Sequence, residues 1–327
     1  MIARREQRLA LSVVVPALNA ERDLPACLGS IRKQKTSRDY EIIVADGGST
    51  DGTRTIAEAH GARVVDNPFR KAEPGTAVGM QAALGQFVTV MAADNRMRGT
   101  DFIDRVLAAF EDSTVVAAFP RVVSTDEDGL VNRYFNRYSD PFNHFIYGSL
   151  NTSIDLMLRR GDRVLRPTVE EHPLLAIAQG CTVRRGLVYE GPPGEADDVL
   201  AIVQLIEGGG KFALVGDAEL EHHHASGLAA VYRKYWRRTQ EALGGEQGYL
   251  RRELHMSRKR RIKRWLWIPY SASLVVPAAH GVVMAARHRD AVLLYHPILN
   301  TVLFAAVLRG AAARKRPSRT LKEKVQM

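Results

Sequence analysis

Four short stretches of this 327-residue chain carry residue types that could do chemistry at their spacing. "VTVMAADN" is an apolar, strand-like run that ends in one carboxylate and one amide, Asp94 and Asn95. "EIIVADGGSTDGT" delivers Asp46 at the end of a second apolar run and follows it with Gly47, Gly48 and Gly52. "GEADDVLAIVQLIEGGG" sets Glu195, Asp197 and Asp198 immediately before an apolar run of helical character, and "ELEHHHASG" holds His222, His223 and His224. Each stretch also has an ordinary structural reading. Asp-Asn is turn chemistry where a strand meets solvent, glycines let a loop turn tightly, acids at a helix start complement its dipole, and histidines cluster on surfaces. Whether they form one site depends on the elements that position them.

Those elements alternate. "LSVVVP" reads as a strand, and a helix from about Asp23 carries Leu24, Cys27, Leu28 and Ile31 at helical spacing. "EIIVAD" is a second strand, "TRTIAEAH" a helix closed by Gly61, "ARVVD" a third strand, "GTAVGMQAALG" a helix, and "VTVMAADN" the fourth strand. "TDFIDRVLAAF" and "VVAAFPRVV" add a further helix and strand, and "KFALVGDAEL" a later strand. Apolar strands alternating with amphipathic helices imply an α/β fold with a mainly parallel sheet covered on both faces. Ligands of such sheets bind beyond the carboxyl ends of the strands, which places Asp46 and Asp94 on one rim. Ser49 and Asp51 are suited to cap the helix that follows them.

Composition narrows the class. With 46% hydrophobic residues the chain can bury a full core, and its two cysteines, Cys27 and Cys181, suggest neither a disulfide framework nor a structural zinc site. A reducing, cytosolic setting is expected. The net charge of +10 is concentrated late in the chain, notably in "RRELHMSRKRRIKR", and no nucleic-acid motif accompanies it. An anionic membrane surface is therefore the expected partner and nucleic acid is not. The basic start and short apolar run at the amino terminus imitate a signal peptide, but the strand-helix pattern needs that run as its first strand.

In this order and spacing, "SVVVPALNAERDLPACLGSI", "YEIIVADGGSTDGT" and "ALGQFVTVMAADN" resemble the amino-terminal half of family 2 glycosyltransferases, which have the GT-A (Rossmann-like) fold. The resemblance is strong from Leu11 to Asn95 and looser to about Trp236. It implies transfer of a sugar from a nucleotide-sugar donor, usually with inversion and with a divalent metal, Mg2+ or Mn2+. By position, Pro16, Ala17, Asn19 and Glu21 match the loop that holds the nucleotide, and Asp46 the carboxylate that reads the base. Asp94 matches the last acid of the family's Asp-x-Asp metal motif, whose first acid is here Ala92. One Asp can suffice, because Mg2+ is commonly held by one or two carboxylates plus substrate phosphates. Asn95 could add a neutral oxygen to the cation or donate to a phosphate. The family's catalytic base precedes a helix like that of "GEADD", which maps to Asp198 with Asp197 beside it; a one-residue slip exchanges them. "AIAQGCTVRR" resembles the segment closing over donor and acceptor, with Gln179, Gly180 and Arg184 at the site's edge. His222 best matches a family histidine near the diphosphate or metal, and His224 is second.

The carboxyl-terminal quarter differs in character. "WLWIPYSASLVVPAAHGVVMAA", Trp265 to Ala286, is long enough to cross a bilayer, and "AVLLYHPILNTVLFAAVL", Ala291 to Leu308, is a marginal second span. The prolines and histidines within them leave a re-entrant hairpin or a buried soluble hairpin as alternatives. Basic flanks on both sides favour two crossings with both ends in the cytoplasm, whereas the connector Arg287-His288-Arg289-Asp290 argues against that arrangement. The expected organisation is a GT-A catalytic domain over 1–250, a basic juxtamembrane segment over 251–264, two hydrophobic helices over 265–310 and a basic tail over 311–327. The expected protein is a membrane-attached glycosyltransferase facing the cytoplasm, with a lipid-linked or polyprenyl acceptor and a setting in cell envelope polysaccharide synthesis. The alternative, motivated by Ala92, is a non-catalytic nucleotide-sugar-binding regulatory protein.

Overall fold

A computed structural model describes residues 9–147, 163–169, 175–223, 227–243 and 257–313. The first half is the expected alternation: β1 (Leu11–Ala17), α1 (Leu24–Arg32), β2 (Tyr40–Asp46), α2 (Thr53–Ala59), β3 (Arg63–Asp66), α3 (Ala72–Ala82) and β4 (Phe87–Val90). There follow β5 (Asn95–Met97), α4 (Phe102–Ala108), β6 (Val115–Val123), α5 (Leu130–Tyr138), α6 (Pro141–Tyr147), β7 (Arg163–Leu165) and β8 (Cys181–Arg184). The last elements are α7 (Asp198–Glu207), β9 (Lys211–His222), α8 (Leu228–Leu243), α9 (Arg258–Ala272), α10 (Val275–His288) and α11 (His296–Ala312).

Among the described residues the strands form one sheet in the order β3-β2-β1-β4-β8-β6-β9-β5, with β7 beside β9. Strands β1 to β4 are mutually parallel. Strand β8 runs antiparallel to both β4 and β6, so the two reversals return β6, and β9 parallel to it, to the direction of β4. The sheet is thus mainly parallel, with β8, β5 and β7 opposed to the rest.

The uninterrupted apolar run of β1 has a direct cause. Val13 and Val15, with Ile42 and Val44, enter one core beneath α1 and α4, whereas Val14 and Ile43, with Val88 and Val90, enter a second core beneath α3 and α7. A strand buried on both faces has no polar side to show. A third core, with Tyr134, Tyr138, Trp267, Leu299 and Leu303, joins α5 to the carboxyl-terminal helices.

Two expectations need correction. Strand β4 ends at Val90, so Asp94 lies in a turn four residues beyond it rather than at the strand's end. The apolar stretch from Trp265 to Ala286 is not one straight helix: α9 and α10 meet at 103°. The break falls at Leu274, whose φ of 54° is unfavourable for a branched side chain. Ala291–Ala312, in contrast, is continuous, with mean hydropathy 1.9 over its most apolar window and 39% of that window buried.

Candidate active site at the carboxyl ends of the strands

The rim has two parts. At the first, β1 and β2 lie in register so that Ala17 faces Asp46, and each strand opens into a loop. The loops are latched together: Asn19 N donates to Ser49 Oγ at 2.9 Å, Thr50 N to Asn19 Oδ1 at 2.9 Å, and Gly52 N to Glu21 Oε2 at 2.9 Å. Asn19, with φ 50°, and Glu21 therefore shape the loop that was expected to hold a nucleotide. Neither Asp51 nor Ser49 is the N-cap of α2, which is Gly52; Asp51 Oδ1 accepts from Thr53 N at 3.0 Å just ahead of the helix, and Ser49 serves the latch. Pro16 lies beside Ala45, within the strand rather than the loop.

Asp46 is fully buried, and its carboxylate is matched: Ser49 N donates to it at 3.2 Å and Arg54 Nη1 at 3.2 Å. Arg54 also reaches Asp66 at 2.7 Å, spanning the ends of β2 and β3. A buried anion with a cation and a backbone donor has its charge compensated in place.

At the second part, the chain leaves β4, crosses the sheet and pairs β5 with the end of β9, setting Asn95 opposite His222. Asn95 is fully buried and locks the turn, accepting from Ala92 N at 2.9 Å and donating to Asp94 Oδ1 at 3.3 Å. It is consumed by the turn rather than presented to a cation or phosphate. His223 N donates to Asp94 O at 3.1 Å, and its ring lies 3.1 Å from Asp128. The carbonyl of His222 accepts from Asn132 and Asn136 of α5, at 2.9 and 2.8 Å.

The result is a carboxylate and an imidazole in close approach: His222 Nε2 stands 3.7 Å from Asp94 Oδ2. Burial pushes the Asp94 carboxyl up to about 6 and the His222 imidazole down to about 4. Lys234 of α8 belongs to the same charge cluster, lowered to about 8 by burial, with Asp94 and Asp140 acting in the opposite sense. The imidazole is neutral at pH 7, the form that ligates metals, and the desolvated carboxylate lacks full charge compensation. These two donors fit a hard cation that takes its remaining ligands from phosphates and water. Among the described residues no cluster of three His, Cys, Asp or Glu suited to a metal occurs. His224 lies outside the described residues.

The "GEADD" acids occupy the start of α7. Asp197 is its N-cap, its Oδ1 accepting from Val199 N at 2.9 Å and Leu200 N at 3.0 Å. Asp198 is the first helical residue, and its carbonyl accepts from Ile177 N, which ties α7 to the segment leading into β8. In that segment Gln179 and Gly180 have φ of 51° and 77°. Gly180 N donates to Val90 O at 2.8 Å, so this turn sits at the carboxyl end of β4, as the site requires. A Cβ on Gly180 would lie 2.7 Å from Pro120.

Arg184 is not brought to that rim. It pairs with Phe87 at the opposite end of β4, donates to the carbonyls of Val115 and Phe110 at 3.0 and 3.1 Å, and stacks on both phenylalanine rings. Its work is structural, because β8 turned out to be a central strand that carries its far end away from the site. Conversely, Arg54 and Lys234 went unnoticed in the sequence. Arg54 could have been found from its place in the first turn of the helix after Asp46; Lys234, inside "YRKYWRR", reads as one cation of a charged surface.

Comparison with known proteins gives a likeness in family and in fold. Residues 12–163 match the family described as "Glycosyl transferase family 2". An uncharacterized glycosyltransferase of Mycobacterium tuberculosis (strain ATCC 25618 / H37Rv) is 39% identical over 92 residues, 28% of this chain and 40% of that protein. A PGL/p-HBAD biosynthesis glycosyltransferase of Mycobacterium bovis (strain BCG / Pasteur 1173P2) is 33% identical over 103 residues, 30% of this chain and 40% of that protein. These matches span well under half the length of either relative. Among solved structures, the mannosyltransferase of Pyrobaculum calidifontis in complex with GDP-Man and Mn2+ covers 92% of this chain and 86% of its own, with TM-score 0.55 and 18% identity. The likeness to family 2 glycosyltransferases thus covers a little under half of the chain, and the fold is that of GT-A glycosyltransferases.

Proposed function

We propose that this protein transfers a sugar from a nucleotide-sugar donor to a lipid-linked or membrane-embedded acceptor, with inversion, from the cytoplasmic face of a membrane. The observation that carries the reading is the pairing of a desolvated Asp94 with a neutral His222 at 3.7 Å, on the rim where a parallel sheet binds its ligands. In this reading Asp94 and His222 hold Mg2+ or Mn2+, with His224 as a further ligand. When bound, the cation stabilises the charge that develops on the departing nucleoside diphosphate. The Pyrobaculum neighbour, solved with GDP-Man and Mn2+, supports the donor class and the metal.

The protein's own residues supply the rest. The strand ends at Pro16, Ala17 and Asp46, with the latched loops of Asn19 and Glu21 beyond them, form a preordered seat for the nucleotide, so donor binding need not order them. Lys234 adds positive charge beside the diphosphate, in a setting dry enough to strengthen it. Gln179 and Gly180 border the donor. Asp198, whose neighbour Asp197 is committed to the helix cap, accepts the proton of the attacking hydroxyl.

The test is release of nucleoside diphosphate from a panel of nucleotide sugars, titrated with Mg2+ and Mn2+, with and without polyprenyl phosphate. Acceptor-stimulated, metal-dependent release from one donor is expected. A second reading is favoured by Ala92, which leaves the rim one acid short: a nucleotide-sugar-binding regulator. Tight donor binding with no turnover for any acceptor would select it.

A further inference from the structure

The sequence favoured two membrane crossings, yet the helices are anchored in a way that a crossing forbids. The connector between α10 and α11 is held by Asp290, whose carboxylate pairs with Arg137 and accepts from Tyr138 Oη at 2.9 Å. Both partners belong to α5, whose preceding residue Asn136 donates to the carbonyl of His222 at the site. The connector and the site are thus bound to the two ends of one hydrogen-bonded chain only a few residues long. Two crossings would put the connector beyond a hydrocarbon core of about 30 Å from a cytoplasmic site.

Helix α11 gives the same answer. It packs against α8, where a Cβ on Gly310 would lie 2.9 Å from Thr239 and 3.1 Å from the carbonyl of Trp236, and Arg309 donates to Tyr232. The outer side of α8 carries exposed Arg233, Arg237 and Arg238. Crossing on α11 would draw these guanidinium groups into hydrocarbon, where a cation is strongly disfavoured.

What remains is an uncovered apolar face. On α10, Val275, Val276, Ala279, Val282, Val283 and Ala286 are all exposed at helical spacing, while Pro277, Gly281 and Met284 turn inward. On α9, Trp265 and Leu266 are exposed as well. The apolar stretch is bracketed by exposed cations: Arg258, Lys259, Arg261 and Arg264 before it, Arg287 and Arg289 after it. An apolar stripe flanked by cations at both ends matches one anionic leaflet, with the headgroups on the cations and the acyl chains on the valines.

We infer that the protein is monotopic: the bent pair α9–α10 lies in a single anionic leaflet, and neither it nor α11 crosses the bilayer. This rests on the membrane attachment proposed above and fixes its form. It also explains the basic connector that fitted poorly with two crossings.

Two experiments on the full chain test it. In flotation with phosphatidylcholine vesicles, with and without phosphatidylglycerol, binding is expected to need the anionic lipid. It should fall about tenfold or more in Lys259→Glu/Arg261→Glu, and likewise in Val276→Asp/Val283→Asp. In sealed inner-membrane vesicles of both orientations, Arg287→Cys and Ala313→Cys are labelled with an impermeant maleimide; the native Cys27 and Cys181 are buried. Both sites should label from the same side. Labelling of Arg287→Cys from the opposite side would overturn the inference, as would a chain that ignores vesicles and sediments as a dimer through this face. Nucleoside diphosphate release, followed on the same preparations, keeps the fate of the enzymatic reading separate from that of the topology.

Discussion

The two parts of the rim treat a carboxylate in opposite ways. Asp46 has no exposed side-chain surface, yet Arg54 and a backbone amide balance it where it lies. Asp94 keeps 30% of its side-chain surface, yet its carboxyl is pushed up to about 6. Burial alone therefore does not decide how a carboxylate behaves; the partners folded in beside it do. The Asp46 side has its charge matched within the fold, whereas the Asp94 carboxylate is desolvated with less compensation beside it.

The largest effect that tests this contrast is on turnover. Asp94→Ala should remove metal-dependent nucleoside diphosphate release by about a thousandfold or more while circular dichroism shows an intact fold. Unchanged activity in a metal titration would end its role as a ligand. Asp198→Asn should lower transfer by roughly 10²- to 10⁴-fold with donor affinity, measured by calorimetry, nearly unchanged. Asp197→Asn preserves a capping side chain and should cost little; if it alone abolishes transfer, the base is the N-cap residue instead.

On the Asp46 side the expected loss is in stability. Arg54→Leu leaves a buried carboxylate without its cation and should destabilise the fold by about 1–3 kcal/mol in urea melts. Restoration by Asp46→Asn in the same background would show that the lost compensation is the cause.

The smallest effect is a pH signature of Asp94. Its carboxyl titrates near 6 in the folded protein against an ordinary 3.8, so the folded state holds the proton more tightly. The stability gained from protonation is fully present below about pH 4 and is lost as pH rises through 6. Asp94→Asn carries no charge to desolvate, so without metal it should exceed the wild type by about 1 kcal/mol above pH 6, after allowance for the group's partial exposure. The two should converge at pH 4. Equal stabilities across the range would show that the carboxylate is already compensated.

Much of this was legible because it is local. The apolar runs of β1 and β2 and the periodic Leu24, Cys27, Leu28 and Ile31 specify their elements through burial on two faces or one, and the order of elements specifies a mainly parallel sheet. Asp46 needed only the end of its own strand. The likeness of residues 11–95 to a glycosyltransferase was readable for the same reason, since its motifs sit on consecutive strand ends.

Residues whose place depends on distant pairing were not legible. Arg184 was assigned to the rim because it follows Gln179 and Gly180, but β8 pairs with β4 and carries it to the far end of the sheet. Asp94 and His222 are 128 residues apart by number, and they meet only because β5 crosses the sheet to the end of β9. The hydropathy of Trp265 to Ala286 set a length of apolar chain, but the 103° break and the tie from Asp290 to α5 decided how that length folds back on the domain. Sequence patterns record what each segment buries; contacts between segments far apart in the chain determine which charges share a site.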